Sequence, residues 1–218
     1  VWERCQACSE LDRVLVATDD ERIAEAARGF GAEVCLTRAD HPSGSDRVAE
    51  AASKFEACTH VINVQGDEPL IDPRLVDTLA RRLRDDPALP MVTAANVLTD
   101  EASIVDPNIV KVVLNKQHEA LYFSRSVIPH GRNRHPGTTW YRHQGIYGYS
   151  KAFLFEYVRW EPSPLELTEQ LEQLRALENG AKIAVVLTDD DAIGVDTPEQ
   201  ADQVARLLQT SLSAKSSS

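Results

Sequence analysis

The sequence lacks the features that mark several classes of protein. No apolar run approaches the roughly 20 residues that a membrane-spanning helix needs, so membrane insertion is not expected. The chain contains no internal repeat, and no Gly-x-Gly-x-x-Gly motif follows a predicted strand, which leaves a nicotinamide-dependent dehydrogenase with little support. Positive charge is scarce: 23 Lys and Arg against 34 Asp and Glu give a net charge of −11, which argues against a nucleic-acid-binding surface.

Cysteine is also scarce, with four residues in the chain. Cys5 and Cys8 form a Cys-x-x-Cys pair, but no second pair at metal-binding spacing accompanies Cys35 and Cys58. We therefore expect reduced structural thiols and a cytoplasmic location. The chain has no initiator Met and begins within a predicted helix, so we expect no signal peptide, and we expect further residues upstream of Val1.

The composition that is present is typical of a soluble globular protein. The chain has 218 residues, of which 43% are hydrophobic and 26% charged. In its first half, strand and helix signals alternate. Strands are predicted at 13–18, 33–37, 61–64 and 91–96, and helices at 21–28, 45–55 and 73–84, with Asp20 and Ser45 as caps of the first two helices. This order predicts an α/β, doubly wound, mostly parallel sheet.

The pattern changes in the second half. Segments 110–114 and 120–124 flank a hairpin-like connection and 141–150 alternates as a strand, which predicts an antiparallel insertion over about 108–150. Helices at 151–160 and 165–179 and a strand at 183–187 follow. Thr197 and Gln200 have the spacing of a capping box. We expect a single domain over 1–210 and a disordered tail over 211–218.

The stretch 61–70, VINVQGDEPL, is the strongest candidate for a site. A β-branched run predicts a buried strand, and Asp67 and Glu68 follow directly at its carboxyl end, where open α/β sheets place their ligands. Carboxylate oxygens there suit Mg²⁺, which works beside substrate phosphates. The alternative is that the two acids belong to a solvated turn that leads into the next helix.

Asp196 is a second acid of interest. It precedes a helix start in the sequence IGVDTP, and Thr197 already fits the capping role there. Asp196 is therefore available to meet Asp67 if their strand ends are neighbours. Two carboxylates on one Mg²⁺ leave positions for water and phosphate oxygens.

The segment SGSDR combines small residues with a helix start. Free backbone N–H groups at Ser43, Gly44 and Ser45 predict a site for an anion or a base edge. Arg47 lies on the first turn beside that site. The alternative is an ordinary surface arginine.

Further polar residues interrupt apolar segments. Arg125 follows an apolar strand, and arginine suits a carboxylate because the pairing is bidentate. His143 and Tyr147 lie on the predicted strand 141–150, where a structural role is the common one. Glu172 and Gln173 lie beside leucines on a helix, where they either hydrogen-bond a polyol or line the exposed face.

Seven segments in order resemble a known family. They are RADHPSGSDR, VINVQGDEPLI, KVVLN, ALYFSRSVIP, HQGIYGY, LEQLRALENG and GVDTPE, and they extend to about residue 208. Together they are similar to the 3-deoxy-manno-octulosonate cytidylyltransferase (CMP-Kdo synthetase) family. The resemblance implies a Rossmann-like α/β fold of the nucleotide-diphospho-sugar transferase type, with an insertion that makes a homodimer. It implies transfer of a cytidylyl group from CTP to 3-deoxy-D-manno-octulosonate (Kdo) with Mg²⁺, giving CMP-Kdo and pyrophosphate for lipopolysaccharide biosynthesis.

The resemblance also implies roles for individual residues. The Mg²⁺-binding acids match Asp67 and Asp196, and Arg47 joins them as a catalytic candidate. The cytidine contacts match Ser43, Gly44 and Ser45. The contacts to the sugar acid match a larger set, to which Arg47 also belongs: Arg47, Gln65, Arg125, His143, Tyr147, Glu172 and Gln173.

The sequence departs from the family at one point. The family opens with a strand and a phosphate-binding loop of the form PARxxSxRxPGKPL, which has no counterpart before Val1. A sheet without that strand is expected to expose unpaired edges, and we expect weak folding or no turnover from a chain that truly starts at Val1. A non-catalytic ligand-binding or dimerisation module is therefore one alternative. A cytidylyltransferase for another sugar acid, such as a sialic acid or amino-Kdo, is the other.

Overall fold

Strand and helix alternate along the first half of the chain, as the apolar pattern predicts. The computed structural model describes residues 1–132, 137–190, 194–195, 197, 200–202 and 204–206. In chain order its elements are α1 (Trp2–Gln6), β1 (Leu15–Thr18), α2 (Glu21–Gly29), β2 (Glu33–Leu36), α3 (Gly44–Ser53), β3 (His60–Asn63), α4 (Pro73–Arg84), β4 (Met91–Leu98), α5 (Glu101–Val105), β5 (Lys111–Leu114), β6 (Ala120–Ser124), β7 (Trp140–Ser150), α6 (Lys151–Tyr157), α7 (Pro164–Glu169), α8 (Gln173–Glu178) and β8 (Ile183–Leu187). None of the helices in these ranges has the length and apolar character needed to cross a bilayer.

Strand β7 lies at the centre of a six-stranded sheet. Along one side it pairs antiparallel with β4, from Met91 opposite Tyr149 to Leu98 opposite Trp140. Its other side is shared by β3, which pairs with the carboxyl half of β7, and β5, which pairs with the amino half. Strand β8 extends the sheet parallel to β4, and β6 extends it antiparallel to β5.

Strands β1 and β2 form a separate parallel pair. Helix α3 packs against both β1 and β3, so it joins this pair to the main sheet. The carboxyl ends of β1 and β2, which carry Thr18 and Leu36, are therefore held by the same helix whose first turn contains the SGSDR segment.

Alternate residues of each strand point to opposite faces of the sheet, and both faces are covered by helices. On one side, Met91 and Ala95 of β4 pack with residues of α6 and α8. On the other, Val92 and Ala94 pack against the apolar face of α4. Helices thus cover both faces, and the predicted α/β class is confirmed.

The predicted elements agree with the structure in most places. The predicted helix cap at Asp20 is present, α4 starts at Pro73 as predicted, and the predicted hairpin is β5–β6. Thr197 and Gln200 bond reciprocally: Thr197 N donates to Gln200 Oε1 at 2.9 Å, and Gln200 N donates to Thr197 Oγ1 at 3.3 Å. The tail predicted at 211–218 lies outside the described residues.

Two local predictions are wrong. The cap of α3 is Ser43, whose side chain accepts the N–H of Asp46, while Ser45 is buried within the first turn. The helix predicted over 165–179 is two short helices, because Gln170 adopts a left-handed conformation (φ 53°) that ends α7. Strand β3 pairs antiparallel with β7 of the predicted insertion, which lies between β3 and β4, so β3 and β4 run in the same direction without pairing.

Gly148 is the position in β7 where the sheet has no room for a side chain. A Cβ there would lie 2.7 Å from Leu83 Cδ1 and 2.8 Å from both Ile62 Cδ1 and Val92 Cγ1. All three neighbours belong to α4, β3 and β4, so none can move without disturbing the core. Glycine at this position lets α4 approach the sheet closely.

Replacing Gly148 by Ala is expected to lower the free energy of unfolding by about 1–3 kcal/mol, because the added methyl overpacks the core. Urea denaturation followed by circular dichroism measures the change. Gly29→Ala is the matched control, since a Cβ there meets nothing within 4 Å. Equal stability of the Gly148→Ala variant and the parent protein would contradict the packing described here.

Candidate active site

The QGDEP segment leaves β3 where that strand meets the middle of β7. The last register pair is Asn63 opposite Tyr147. Beyond it, Gln65 Nε2 donates to Gly145 O at 3.1 Å, and Glu68 N closes a turn on Gln65 O at 3.3 Å. The turn places Asp67 directly past the strand end, as the sequence predicts.

Asp67 carries an unsatisfied carboxylate oxygen. Its Oδ1 is buried and has no hydrogen-bond partner among the described residues. Its backbone oxygen accepts the N–H of Val195 at 2.7 Å, and Val195 is the residue before Asp196 in the sequence. Asp196 itself lies outside the described residues. A buried carboxylate oxygen without a donor is suited to a hard cation, so Asp67 fits the implied Mg²⁺.

The described part of the chain contains no group of three or more His, Cys, Asp or Glu side chains close enough together to hold a metal ion. Of the two predicted metal ligands, Asp67 is the one that lies within the described residues. Gly194 lies close to it, since a Cβ on Gly194 would be 3.5 Å from Glu68 Oε1 and 3.7 Å from Asp67 O.

A bulge in β7 shapes the next part of the site. The register between β4 and β7 shifts between Thr93 and Ala94, which pair with Tyr147 and Gln144 respectively. Thr93 Oγ1 donates to Ile146 O at 2.7 Å, and the same oxygen lies 3.0 Å from His143 Nε2. The bulge turns the carbonyl of Gly145 toward Gln65.

His143 is a neutral imidazole in this environment. Its side chain packs edge-on against Phe123 and beside Tyr147. Burial, with a smaller effect from the Arg142 cation, lowers the pKa of His143 to about 3. Because Thr93 gives its own proton to Ile146 O, His143 Nε2 is best placed as the donor to Thr93. His143 can therefore hydrogen-bond a ligand but does not oppose a carboxylate as a cation.

The first turn of α3 meets α8 at a polar rim. Ser43 Oγ donates to Asp46 Oδ2 at 2.7 Å and lies 3.3 Å from Glu172 Oε1. Glu172 also interacts with the buried Ser45 hydroxyl. Burial raises the pKa of Glu172, and the hydrogen bond from Ser45 and the Arg175 cation oppose that shift. Two serines and an acid predicted from separate motifs thus lie together.

Aromatic rings of β7 and α6 form the wall behind this rim. Tyr147 stacks on Tyr149 and Tyr149 on Tyr157, each with ring centroids 6.1 Å apart. Burial raises the pKa of all three phenols, with a further contribution from the Glu172 charge. Gln173 is buried beside Glu172, and its Nε2 has no partner among the described residues. An unpaired buried amide of this kind is available to a ligand.

The two predicted arginines are both engaged. Arg47 Nη1 lies 2.9 Å from Asp19 Oδ1 and donates to Thr37 Oγ1 at 2.7 Å, at the carboxyl ends of β1 and β2. Arg125 Nε donates to Glu169 O at 2.9 Å, and its Nη atoms donate to Pro107 O and Gln170 O. The structure therefore brings Arg47 to the strand-end edge and links Arg125 to the joint between α7 and α8.

Sequence reasoning missed two partners of the site. Asp19 is visible in the sequence as an acid at a strand end, which is a signal that could have paired it with Arg47. Thr93 gives no such signal, because a threonine within an apolar strand is ordinary in a sheet.

An open cleft of about 700 Å³ lies beside the rim, between the first turn of α3 and helices α6 to α8. Ser43, Asp46 and Glu172 line it, together with Trp160 and Arg175. A smaller cavity of about 40 Å³ is lined by Glu68, His143 and Gly145. The other candidates that lie within the described residues line neither space, so this part of the predicted site is spread over a strand-end edge and a neighbouring rim.

The fold and the site together define a class. An α/β sheet with a carboxylate past a strand end, and with a helix start that carries small polar residues, is typical of nucleotide-binding α/β enzymes. A family model described as cytidylyltransferase matches residues 1–183. A solved structure of CMP:2-keto-3-deoxy-manno-octonic acid synthetase complexed with CTP superposes with a TM-score of 0.92 at 41% identity, covering 96% of this chain and 86% of that one.

Curated relatives agree with this class. The 3-deoxy-manno-octulosonate cytidylyltransferase of Solibacter usitatus is 48% identical over 97% of this chain and 84% of its own length. That of Pseudomonas syringae pv. syringae is 48% identical over 96% and 86%. The chain belongs to the cytidylyltransferase family, among the 3-deoxy-manno-octulosonate cytidylyltransferases. A 4-diphosphocytidyl-2C-methyl-D-erythritol synthase from Anaerococcus prevotii, at 15% identity and a TM-score of 0.60, shares the fold.

The buried neutral His143 predicts a pH dependence of stability. The unfolded chain protonates this imidazole near pH 6.5, whereas the folded chain does so only near pH 3. Protons therefore favour the unfolded state, and stability falls as the pH drops below about 6.5. His143 is expected to make the free energy of unfolding about 1.4 kcal/mol lower at pH 5.5 than at pH 7.5.

Urea denaturation at the two pH values measures this difference in the parent protein and in His143→Gln, whose amide can still bond Thr93. The Gln variant is expected to lose that part of the pH dependence. His118→Gln, at an exposed position of the β5–β6 turn, is the control. An unchanged pH dependence in His143→Gln would show that the imidazole is not buried in its neutral form.

Proposed function

We propose that this chain transfers the cytidylyl group of CTP to the anomeric hydroxyl of Kdo, giving CMP-Kdo and pyrophosphate for lipopolysaccharide biosynthesis. The observation that carries the proposal is the 48% identity to a 3-deoxy-manno-octulosonate cytidylyltransferase over 97% of this chain. The placement of Ser43, Ser45 and Glu172 at one rim supports it, because these residues come from separate family-like motifs.

In the proposed reaction the anomeric oxygen attacks the α-phosphorus of CTP. A new oxygen–phosphorus bond forms, the bond between the α-phosphorus and the bridging oxygen breaks, and pyrophosphate leaves. No covalent enzyme intermediate is required, so the protein contributes position and charge. The N–H groups of Ser43, Gly44 and Ser45 at the start of α3 bind the cytidine part of CTP.

The remaining side chains receive the sugar acid in this proposal. Tyr147, Glu172 and Gln173 offer acceptors and donors for hydroxyl groups, and neutral His143 contributes a hydrogen bond rather than a charge. Gln65 is fixed at Gly145 on the side of Asp67. Arg47, already paired with Asp19, and Arg125, held by the Glu169 carbonyl, supply positive charge toward the sugar acid and its carboxylate.

We further propose a dependence on Mg²⁺. Asp67 would hold the ion with Asp196, and the buried, unpaired Oδ1 of Asp67 supports that role. When bound, Mg²⁺ would neutralise phosphate charge and lower the pKa of a nearby hydroxyl. A cytoplasmic location is also proposed, with support from the four cysteines, none of which forms a disulfide.

The direct test is pyrophosphate release from CTP and Kdo with Mg²⁺, measured on the 218-residue chain and on the product of its whole reading frame. Turnover with Kdo but not with a sialic acid or amino-Kdo is the expected result. Faster turnover with either alternative sugar acid would assign the enzyme to that substrate. A folded protein that binds CTP or Kdo without product would indicate a binding module.

Asp67→Asn is expected to reduce turnover by at least about a hundredfold while leaving the fold intact, because an amide is a poor ligand for a hard cation. Pyrophosphate release across a Mg²⁺ titration is the measurement. Asp85→Asn, an exposed position after α4, is the control. Near-normal turnover of Asp67→Asn at low Mg²⁺ would remove this residue from the metal site.

A homodimer is proposed as the assembly. Exposed apolar side chains support it: Val97 of β4 is 51% exposed, Val105 of α5 is 66% exposed and Leu121 of the insertion is 59% exposed. Strand β4 and helix α5 contact each other, so Val97 and Val105 lie on neighbouring elements.

Val105→Asp is expected to weaken the dimer by at least about tenfold, because it places a charge in an apolar contact. Sedimentation velocity over a concentration series measures the association. Ile23→Asp on α2, which is also exposed, is the matched control and should leave association unchanged. A parent protein that sediments as a monomer at all concentrations would refute the dimer.

A further inference from the structure

Arg175 and Glu166 form a buried ion pair that the proposed mechanism does not use. Arg175 Nε donates to Glu166 Oε2 at 2.7 Å, and Nη2 donates to Oε1. The two side chains are 8% and 11% exposed. Apolar residues of similar volume often stabilise a core as well as a buried pair does. Stability alone is therefore a weak explanation for this pair.

The pair is fully built into its surroundings. Glu166 Oε2 also accepts the N–H of Ser163 at 3.0 Å, which fixes the first turn of α7. Arg175 Nη1 donates to Trp160 O at 3.4 Å. The pair thus ties α8 to the start of α7 and to the segment that follows α6.

A short path leads from Arg175 to the backbone of Glu172. The guanidinium carbon lies 5.2 Å from the centroid of the Tyr157 ring. Tyr157 Oη donates to Glu172 O at 2.7 Å. Tyr157 is therefore held by the cation on one side and holds the amino end of α8 on the other.

The Glu172 carboxylate faces charged and titratable groups from every neighbouring element. They are Arg175 of α8, Glu166 of α7, Tyr157 of α6, Tyr147 and Tyr149 of β7, and Asp46 of α3, which shares Ser43 with it. Arg175 is the cation of this set. Loss of its charge would leave a half-buried carboxylate among acids and phenols.

We propose that Arg175, held in place by Glu166, is a positioning residue that fixes the Glu172 carboxylate at the rim formed with Ser43 and Ser45. The inference deepens the proposed function and rests on it for the identity of the ligand. Arg175 lines the open cleft beside the rim, but its hydrogen bonds go to Glu166 and Trp160, and it reaches the backbone of Glu172 through Tyr157.

The test removes the charges while preserving the core. In the double variant Glu166→Leu/Arg175→Met, both members of the pair are replaced by apolar side chains, which avoids an unpaired buried charge. Its melting temperature is expected to stay near that of the parent protein. The KM for Kdo is expected to rise about tenfold, with the KM for CTP nearly unchanged. Arg175→Lys, which keeps the charge, is expected to recover part of the Kdo affinity.

The matched control is an exposed ion pair. Arg82→Met/Asp86→Leu removes a pair at the carboxyl end of α4 whose side chains are 42% and 40% exposed, and it should change neither KM. A folded Glu166→Leu/Arg175→Met variant with the parent KM for Kdo would overturn the proposal.

A second readout does not depend on turnover. The Arg175 cation lowers the pKa of Glu172 against the effect of burial, and the Glu166 charge raises it to a smaller extent, so removal of both charges should still raise that pKa. Carboxyl ¹³C NMR of glutamate-labelled protein measures the titration, with Glu172→Gln assigning the resonance. In the turnover assay, the acid limb of the pH profile of kcat/KM for Kdo is likewise expected to move to higher pH in the double variant.

The two readouts separate the possible failures. If the parent protein makes no CMP-Kdo, the proposed function fails, and the titration of Glu172 still decides whether Arg175 controls this carboxylate. If the parent turns over but the Glu172 titration and the KM for Kdo are unchanged in the folded double variant, the positioning role alone fails.

Discussion

The backbone pairing of β7 is the constraint on which the rest of the structure depends. This strand makes antiparallel contacts with β3, β4 and β5 at once, so three segments distant in sequence are fixed relative to it. Its own residues then provide the site with His143, the bulge at Gly145 and Tyr147. Residues from β3 reach the same place only because Asn63 pairs opposite Tyr147 and Gln65 bonds to Gly145.

The polar groups of the site differ in how well they are satisfied, and the difference indicates their roles. His143, Arg47 and Arg125 all have protein partners, so they are held in defined positions. Asp67 Oδ1 and Gln173 Nε2 are buried without partners among the described residues. A buried polar atom without a partner costs free energy unless a ligand or ion satisfies it. Binding of a ligand or ion at these two atoms should therefore recover the most free energy.

The rim at Glu172 shows how a fold keeps an acid in a half-buried place. Burial favours its neutral form, and two neighbouring serines and the Arg175 cation favour the charged one. Arg175 can do this because Glu166 and the Trp160 carbonyl hold its guanidinium. The family relationship and the geometry thus agree on one region. The contacts that hold it together come from Arg175, Glu166 and Trp160, for which the resemblance implied no role.

Much of this protein was determined by the sequence alone. Apolar periodicity predicted the α/β class and most strands and helices, and the position of Asp67 after β3 followed from the QGDEP turn. Local chemistry also predicted the cap at Asp20, since capping involves residues two or three positions apart. The tertiary structure decided the rest: the antiparallel pairing of β3, the break of the predicted helix at Gln170, the neutral state of His143 and the Arg175–Glu166 pair. The pairing of β3 and the burial of His143 depend on contacts between segments distant in the chain, whereas the break at Gln170 and the Arg175–Glu166 pair depend on how the consecutive helices α7 and α8 pack together. Apolar periodicity specifies neither kind of contact.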